Sequence, residues 1–172
     1  MSEESPLFIR PPIGFIVEGE GEYHSYPSLV TQIIKSQGGY QFPRINCSGY
    51  SDLFCNLEEH LNDLISTKHP FHVITTVDLK DLVRDGFCAD WEDAIRQLSQ
   101  KVWLWSDKTF GKDKRMNPFP DSIKVVLQIQ KFESWLLADV QGLNETGYFE
   151  LSDPQSPDVD NLERDPYSIL RR

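Results

Sequence analysis

Short apolar runs alternate along this chain with longer stretches in which apolar residues recur every three or four positions. Ile13–Val17 is one such run, and the glutamates and glycines after it are typical of a buried strand that ends in a tight loop. From Glu22 to about Gln37 the apolar residues have helical spacing, and the two glycines that follow suit a helix end. The pattern predicts a strand followed by a helix.

Three more pairs of a strand and a helix follow. The run from Phe71 to Val77 is rich in β-branched residues and ends at Asp78, which makes it the clearest strand. Ser51 or Asp52 is expected to cap the second helix. Strands are predicted at 42–47, 71–77 and 123–129, and helices at 51–66, 90–102 and 131–139.

This alternation predicts an α/β fold, with a Rossmann-like, mostly parallel four-stranded sheet flanked by helices. The 172 residues fit one domain, which is expected to span 13–143. Residues 1–12 end in two prolines and are expected to form an irregular lead-in. Residues 144–172 are rich in Asp, Pro and Ser and are expected to form a polar C-terminal segment.

Acidic residues dominate the charge: 27 Asp and Glu stand against 17 Lys and Arg, for a formal net charge of −10. Nucleic-acid binders usually present excess basic residues, so such binding here requires a local basic strip, a bound cation or a partner protein. No apolar run approaches the roughly 20 residues that span a bilayer, and the acidic N-terminus lacks the features of a secretion signal. A cytoplasmic location without membrane contact is expected.

The cysteines and histidines do not have the sequence spacing of a metal centre. Cys47, Cys55 and Cys88 show no C-x-x-C pattern and are expected to be reduced and mostly buried. His24 lies close to Glu22 and is a candidate proton shuttle, although a surface histidine is the commoner case. The other three histidines lack metal-ligand spacing.

Four acidic residues fall at or near the carboxyl ends of predicted strands: Glu18, Glu22, Asp78 and Glu133. Ligands bind beyond such strand ends in open α/β sheets. If the first and third strands are neighbours, Glu18 and Asp78 converge. Carboxylates held together repel unless a proton or a cation lies between them, and hard oxygen ligands suit Mg²⁺ or Mn²⁺. Taken alone, an acid after a strand is more often a helix cap.

Three segments that contain these acids resemble motifs of the Toprim family. Phe15–Glu22 resembles the first motif, an apolar strand followed by Glu-Gly, and Val73–Asp78 resembles the second, an apolar strand closing on aspartate. Val126–Asp139 resembles the end motif of small, uncharacterised Toprim-like proteins. These are related to the overcoming-lysogenisation-defect (OLD) nucleases, and they are commonly encoded beside ABC-type or AAA-type ATPases.

The resemblance implies roles for individual residues. Glu18 matches the Toprim glutamate that serves in acid/base chemistry or metal binding, and Asp78 matches the leading aspartate that holds Mg²⁺. Both are therefore the expected catalytic residues as well as metal ligands. Glu22 and Glu133 are expected to complete the metal site, as in the OLD-like branch.

The chain departs from the Toprim pattern at one position. The second aspartate of the usual Asp-x-Asp falls on Lys80, and Asp81, one residue later, is a candidate additional ligand. This departure and the acidic composition favour an alternative, a non-catalytic Toprim-shaped subunit that binds and regulates an ATPase.

The densest basic stretch follows the third predicted helix and contains Lys108, Lys112, Lys114 and Arg115. A loop there is expected to contact nucleic-acid phosphates near the metal site. A solvated loop without that role is the plainer interpretation.

Together with the resemblance, these features predict an enzyme that uses Mg²⁺ or Mn²⁺ to hydrolyse phosphodiester bonds in DNA or RNA. The resemblance also implies an ATPase partner and a role in defence against phage or mobile DNA. The non-catalytic subunit stays open, as does, more weakly, a nucleic-acid mimic whose negative face occupies a basic partner. The oligomeric state is also open.

Overall fold

A computed structural model describes residues 13–33, 42–111 and 122–128. The strand and helix order predicted from the sequence is confirmed over these residues, with one additional short helix. In chain order the elements are β1 (Ile13–Val17), α1 (Glu20–Ile33), β2 (Arg44–Asn46), α2 (Tyr50–Lys68), β3 (His72–Asp78), α3 (Leu79–Arg84), α4 (Trp91–Phe110) and β4 (Ile123–Gln128).

The four strands form one sheet in the order β2-β1-β3-β4, and every neighbouring pair is parallel. The α/β fold with a parallel sheet flanked by helices is therefore confirmed. The chain moves from β1 outward to β2 and then crosses to β3 on the other side of β1. Strand order thus reverses between β1 and β3, and the carboxyl end of such a switch point is where open α/β sheets bind ligands.

Side chains of the strands alternate between two apolar clusters, one on each face of the sheet. Ile16, Val73 and Val77 pack with apolar residues of α2 and α4 on one face. Phe15 and Val17 pack with Tyr26 of α1 and with Phe42 on the other. Burial on both faces explains why the central strands β1 and β3 are nearly continuous apolar runs.

Several element boundaries differ from the sequence prediction. Helix α1 begins at Glu20 rather than Glu22, with Tyr23 N donating to Gly19 O at 3.1 Å. Glutamates in a first turn interact favourably with the helix dipole, which favours this earlier start. Helix α4 extends to Phe110 instead of ending near residue 102, because its buried stripe continues through Trp105.

The start of α2 is also corrected. Gly49, with φ of 101°, is the N-cap, and neither Ser51 nor Asp52 takes that position. Asp52 lies in the first turn, where its Oδ2 accepts a hydrogen bond from the Ser48 amide at 2.9 Å. This contact satisfies a backbone donor just before the helix, as the acid of a capping box does.

Several predicted segments lie outside the described residues. These are the lead-in at 1–12, the helix at 131–139 and the C-terminal segment at 144–172. None of the helices described here combines the length and apolar character needed to cross a membrane.

Candidate metal centre

Two acidic residues meet at the carboxyl edge of the sheet, at the switch point between β1 and β3. Glu18 is the first residue after β1, and Asp78 is the last residue of β3. The Asp78 amide donates a hydrogen bond to Glu18 Oε2 at 3.1 Å. The two residues therefore converge, because parallel strands that are neighbours end at the same edge.

Glu22 joins them from the first turn of α1. One carboxylate oxygen from each of Glu18, Glu22 and Asp78 lies within 4.8 Å of the other two. Glu22 is only 5% exposed and Asp78 only 4%. The backbone at Gly19 approaches Glu22 closely, since a Cβ atom built there would lie 3.1 Å from Glu22 Oε2. We call these three residues the acidic cluster.

Burial and mutual repulsion disfavour the ionised form of this cluster. Burial raises the pKa of Glu18, and the neighbouring charge of Glu22 acts in the same direction, opposing the hydrogen bond from the Asp78 amide. Burial also raises the pKa of Asp78, with further increases from Glu18 and Glu22. Among the described residues no Lys, Arg or His forms an ion pair with Glu18 or Asp78. The cluster thus favours bound protons or a bound cation.

Two buried acceptor atoms beside the cluster lack hydrogen-bond donors within the described ranges. They are Asp78 Oδ1 and Gln128 Oε1. The two residues are register partners on β3 and β4, and Gln128 is 1% exposed. Gln128 Nε2 reaches across to Glu22 Oε1 at 3.4 Å. A buried acceptor without a hydrogen bond lowers the stability of the fold, so these oxygens indicate that a hydrogen-bond donor or a cation binds beside them.

Tyr26 closes the cluster on the α1 side. It is buried one turn beyond Glu22, and its side chain packs against Phe15. Burial raises the pKa of its hydroxyl, and the three carboxylates add to that effect. The phenol therefore stays neutral at physiological pH.

A family model described as a domain of unknown function (DUF4276) matches residues 17–167, which is most of the chain. The chain belongs to the DUF4276 family. No curated protein and no solved structure matches it. The matched region contains the whole acidic cluster, and the family description assigns no activity.

The predicted additional ligand of this DUF4276 chain has another partner. Asp81 lies in α3 and is largely buried, and Arg84 Nη1 donates to its Oδ1 at 2.5 Å. Its charge still contributes to the raised pKa of Asp78, but its carboxylate is outside the group that lies within 4.8 Å. Lys80, where the sequence departs from the expected second aspartate, is exposed.

Of the four predicted phosphate-binding residues, Lys108 is the one that falls within the described ranges. Helix α4 starts after β3 at the carboxyl edge and leads back to the first residues of β4, which pair with the start of β3. Lys108, in the last turn of α4, therefore lies toward the opposite edge of the sheet. Outside the described residues lie Glu133, Lys112, Lys114 and Arg115.

His24, the candidate proton shuttle, pairs with Glu20, which is not part of the acidic cluster. Its Nε2 lies 2.9 Å from Glu20 Oε2, and both side chains are mostly exposed. The surface interpretation of this histidine is the one that the structure favours.

Gln128 and Tyr26 were not among the predicted site residues. Tyr26 has the helical spacing of a core residue, and it is one. Gln128 ends a mainly apolar strand that also contains Lys124, and a polar residue at a strand's carboxyl end is the only sequence signal that marks it.

Proposed function

We propose that this protein is a divalent-metal-dependent phosphodiesterase that cleaves DNA or RNA. The observation that carries the proposal is the acidic cluster: three carboxylates, largely buried and within 4.8 Å of one another, at the switch point of a parallel sheet. Ligands bind at such points, and nucleic-acid hydrolysis commonly requires charge neutralisation at the phosphate.

The residues present fit Mg²⁺ or Mn²⁺. The side chains of the acidic cluster and of Gln128 offer hard oxygen ligands. Asp78 Oδ1 and Gln128 Oε1 are buried acceptors that receive no hydrogen bond from the described residues. In this proposal Glu18, Glu22 and Asp78 hold the ion, and Glu133 is a further expected ligand. A divalent cation there would supply charge neutralisation at the phosphate and a more acidic bound water.

The chain's own groups have separable tasks. Asp78 and Glu22 are more buried than Glu18, so they suit the role of metal ligands whose positions do not change during the reaction. Glu18 is partly exposed, and its raised pKa suits proton transfer from the attacking water near neutral pH. Gln128 orients Glu22 through its amide nitrogen.

The Toprim resemblance supports the same proposal and extends it. Its first two motifs end at Glu18 to Glu22 and at Asp78, the residues that meet in the acidic cluster. We accordingly propose a Toprim-like nuclease related to the OLD branch, acting in the cytoplasm against phage or mobile DNA. The net charge of −10 supports a partner, an ABC-type or AAA-type ATPase, that helps to hold nucleic acid.

The test is a cleavage assay on single- and double-stranded DNA and RNA with Mg²⁺, with Mn²⁺ and with EDTA. Glu18→Gln and Asp78→Asn are expected to reduce cleavage by at least about 100-fold, as losses of acid/base groups typically do. Glu20→Gln is the matched control, because Glu20 is an exposed neighbour on α1. Equal activity of the wild type and both cluster variants would contradict the proposal.

A non-catalytic binding or regulatory subunit of an ATPase complex is the second candidate. Two observations favour it. Lys80, which the resemblance aligns with the second Toprim aspartate, is exposed, and Asp81 forms an ion pair with Arg84. Neither residue therefore supplies a second aspartate to the acidic cluster. This candidate predicts that the wild type binds an ATPase yet cleaves no substrate with either metal, in the presence or absence of that partner.

A further inference from the structure

Beside the acidic cluster, three side chains of different chemistry converge at the carboxyl end of β2. One ligand atom from each of Cys47, Asp52 and His60 lies within 4.8 Å of the other two. Cys47 follows β2 directly, and its amide donates to Val17 O at 2.8 Å. Asp52 and His60 both come from α2. This thiol–carboxylate–imidazole group is separate from the acidic cluster and uses none of its residues.

A kink in α2 lies between the two helix residues. Asp52 and His60 are two turns apart, which corresponds to about 12 Å along a regular helix. His60 Nε2 nevertheless lies 3.3 Å from Asp52 Oδ2. Asn56, midway between them, leaves helical geometry with φ −108° and ψ 18°, and its side chain donates to Asp52 Oδ1 at 2.7 Å. The regular helix is therefore interrupted between Asp52 and His60.

The Nε2 atom of His60 is buried without a well-formed hydrogen bond within the described residues. His60 Nε2 is inaccessible to solvent and makes no hydrogen bond of good geometry within the described part of the chain, although Asp52 lies beside it. The His60 side chain is 17% exposed. A buried imidazole nitrogen of this kind is available as a metal ligand.

The thiol completes the donor set. Cys47 is a free cysteine and 5% exposed. Burial raises its pKa to about 12, so without a cation it stays protonated and is a poor nucleophile. Coordination to a divalent ion removes the thiol proton to solvent and leaves the thiolate as ligand.

We propose that Cys47, Asp52 and His60 form a second cation site, selective for Zn²⁺ over Mg²⁺. Sulfur, nitrogen and oxygen from one residue each make a set that Zn²⁺ accepts and that hard cations do not prefer. Three protein ligands leave one tetrahedral position for water, as in open zinc sites. Asp52 is already held by Ser48 and Asn56, the outer hydrogen bonds that orient a ligating carboxylate.

Cobalt substitution tests this site with a signal specific for sulfur ligation. Full-length protein, stripped of metal and kept reduced with a phosphine, is titrated with Co²⁺. The wild type is expected to develop a thiolate-to-cobalt charge-transfer band and to lose it when one equivalent of Zn²⁺ is added. Cys47→Ser should abolish the band, and His60→Gln should weaken cobalt binding by more than about 100-fold, since outer partners alone contribute 10–100-fold.

Matched controls separate the two sites. Cys55→Ser removes an exposed cysteine of α2, the helix that contains Asp52 and His60, and should keep the band. The double variant Glu18→Gln and Asp78→Asn should also keep it, whatever happens to cleavage. The inference is overturned if wild-type protein at saturating Co²⁺ shows no band, or if the band survives both Cys47→Ser and His60→Gln. Circular dichroism confirms that each variant is folded.

Discussion

The Asp78 amide donates its hydrogen bond to a carboxylate sixty residues earlier in the chain, Glu18, at 3.1 Å. This contact joins the ends of two neighbouring parallel strands and holds two acidic side chains close together in a largely buried position. The fold therefore maintains a repulsion that a bound proton or cation relieves.

Removing the charge of Asp78 is expected to stabilise the metal-free protein. The raised pKa means that ionisation of this group opposes folding, and Asn keeps its size. Asp78→Asn should increase the free energy of unfolding at pH 8 in EDTA by at least about 1 kcal/mol, the equivalent of roughly one pKa unit. Urea unfolding measures this. Asp63→Asn, at an exposed position of α2, is the control that should change little.

The stability of the wild type should fall as pH rises, provided that divalent ions are absent. Glu18 and Asp78 have pKa values above their unfolded values near 4, so between these limits the folded state binds more protons than the unfolded state. Stability that is present below about pH 4 is then lost progressively through neutrality. Urea midpoints measured from pH 4 to pH 9 test the sign, and a rise over pH 5 to 8 that Asp78→Asn also shows would contradict it.

Divalent ions should reverse this loss. An ion that binds only the folded state at 100 times its dissociation constant adds about 2.7 kcal/mol to the free energy of unfolding. Thermal melts with and without Mn²⁺ at pH 8 should show the increase in the wild type and its loss in Asp78→Asn. Equal stabilisation of both proteins would place the bound ion elsewhere.

A substitution at Gly19 tests whether the close approach of the backbone fixes the position of the Glu22 carboxylate. A Cβ at this position would lie 3.1 Å from Glu22 Oε2, so Gly19→Ala should displace that carboxylate. We expect Mn²⁺ binding, measured by calorimetry, to weaken by about 10-fold or more, in the range of changes that disturb ligand orientation. Gly86→Ala is the contrast, since nothing lies near its Cβ while its φ of 76° adds backbone strain; it should reduce stability and leave affinity unchanged.

Gln128 is expected to matter although it is not an acid. Gln128→Leu removes the amide that contacts Glu22 and the acceptor beside Asp78. Mn²⁺ affinity should fall by about 10- to 100-fold, as for other residues that orient ligands. Lys124→Gln, exposed on the same strand, is the control. Unchanged affinity in Gln128→Leu would remove this residue from the site.

The sequence predicted β1 and β3 well, because burial on both faces gives these two central strands nearly continuous apolar runs. It also predicted the convergence of Glu18 and Asp78, since that requires only neighbouring parallel strands. The short helix α3 was missed, because its six residues are too few to show a helical period. Gln128 was missed because its place depends on the pairing of β4 with β3.

The group around Cys47 shows a different limit of sequence patterns. Metal-ligand spacing is recognised along one loop or one regular helix turn. Here one ligand candidate follows a strand, and the other two meet across the kink at Asn56. No fixed spacing describes that arrangement, so the absence of a motif did not exclude it.

The direction of α4 limits what a substrate can touch at once. Its 20 residues extend about 30 Å from the cluster's edge of the sheet toward the edge where Lys108 lies. A duplex that contacted both ends would have to run along this helix for about nine base pairs, at roughly 3.4 Å each. Oligonucleotides shorter than that would reach one end only, which sets a minimum footprint for any binding mode that uses Lys108 and the acidic cluster together.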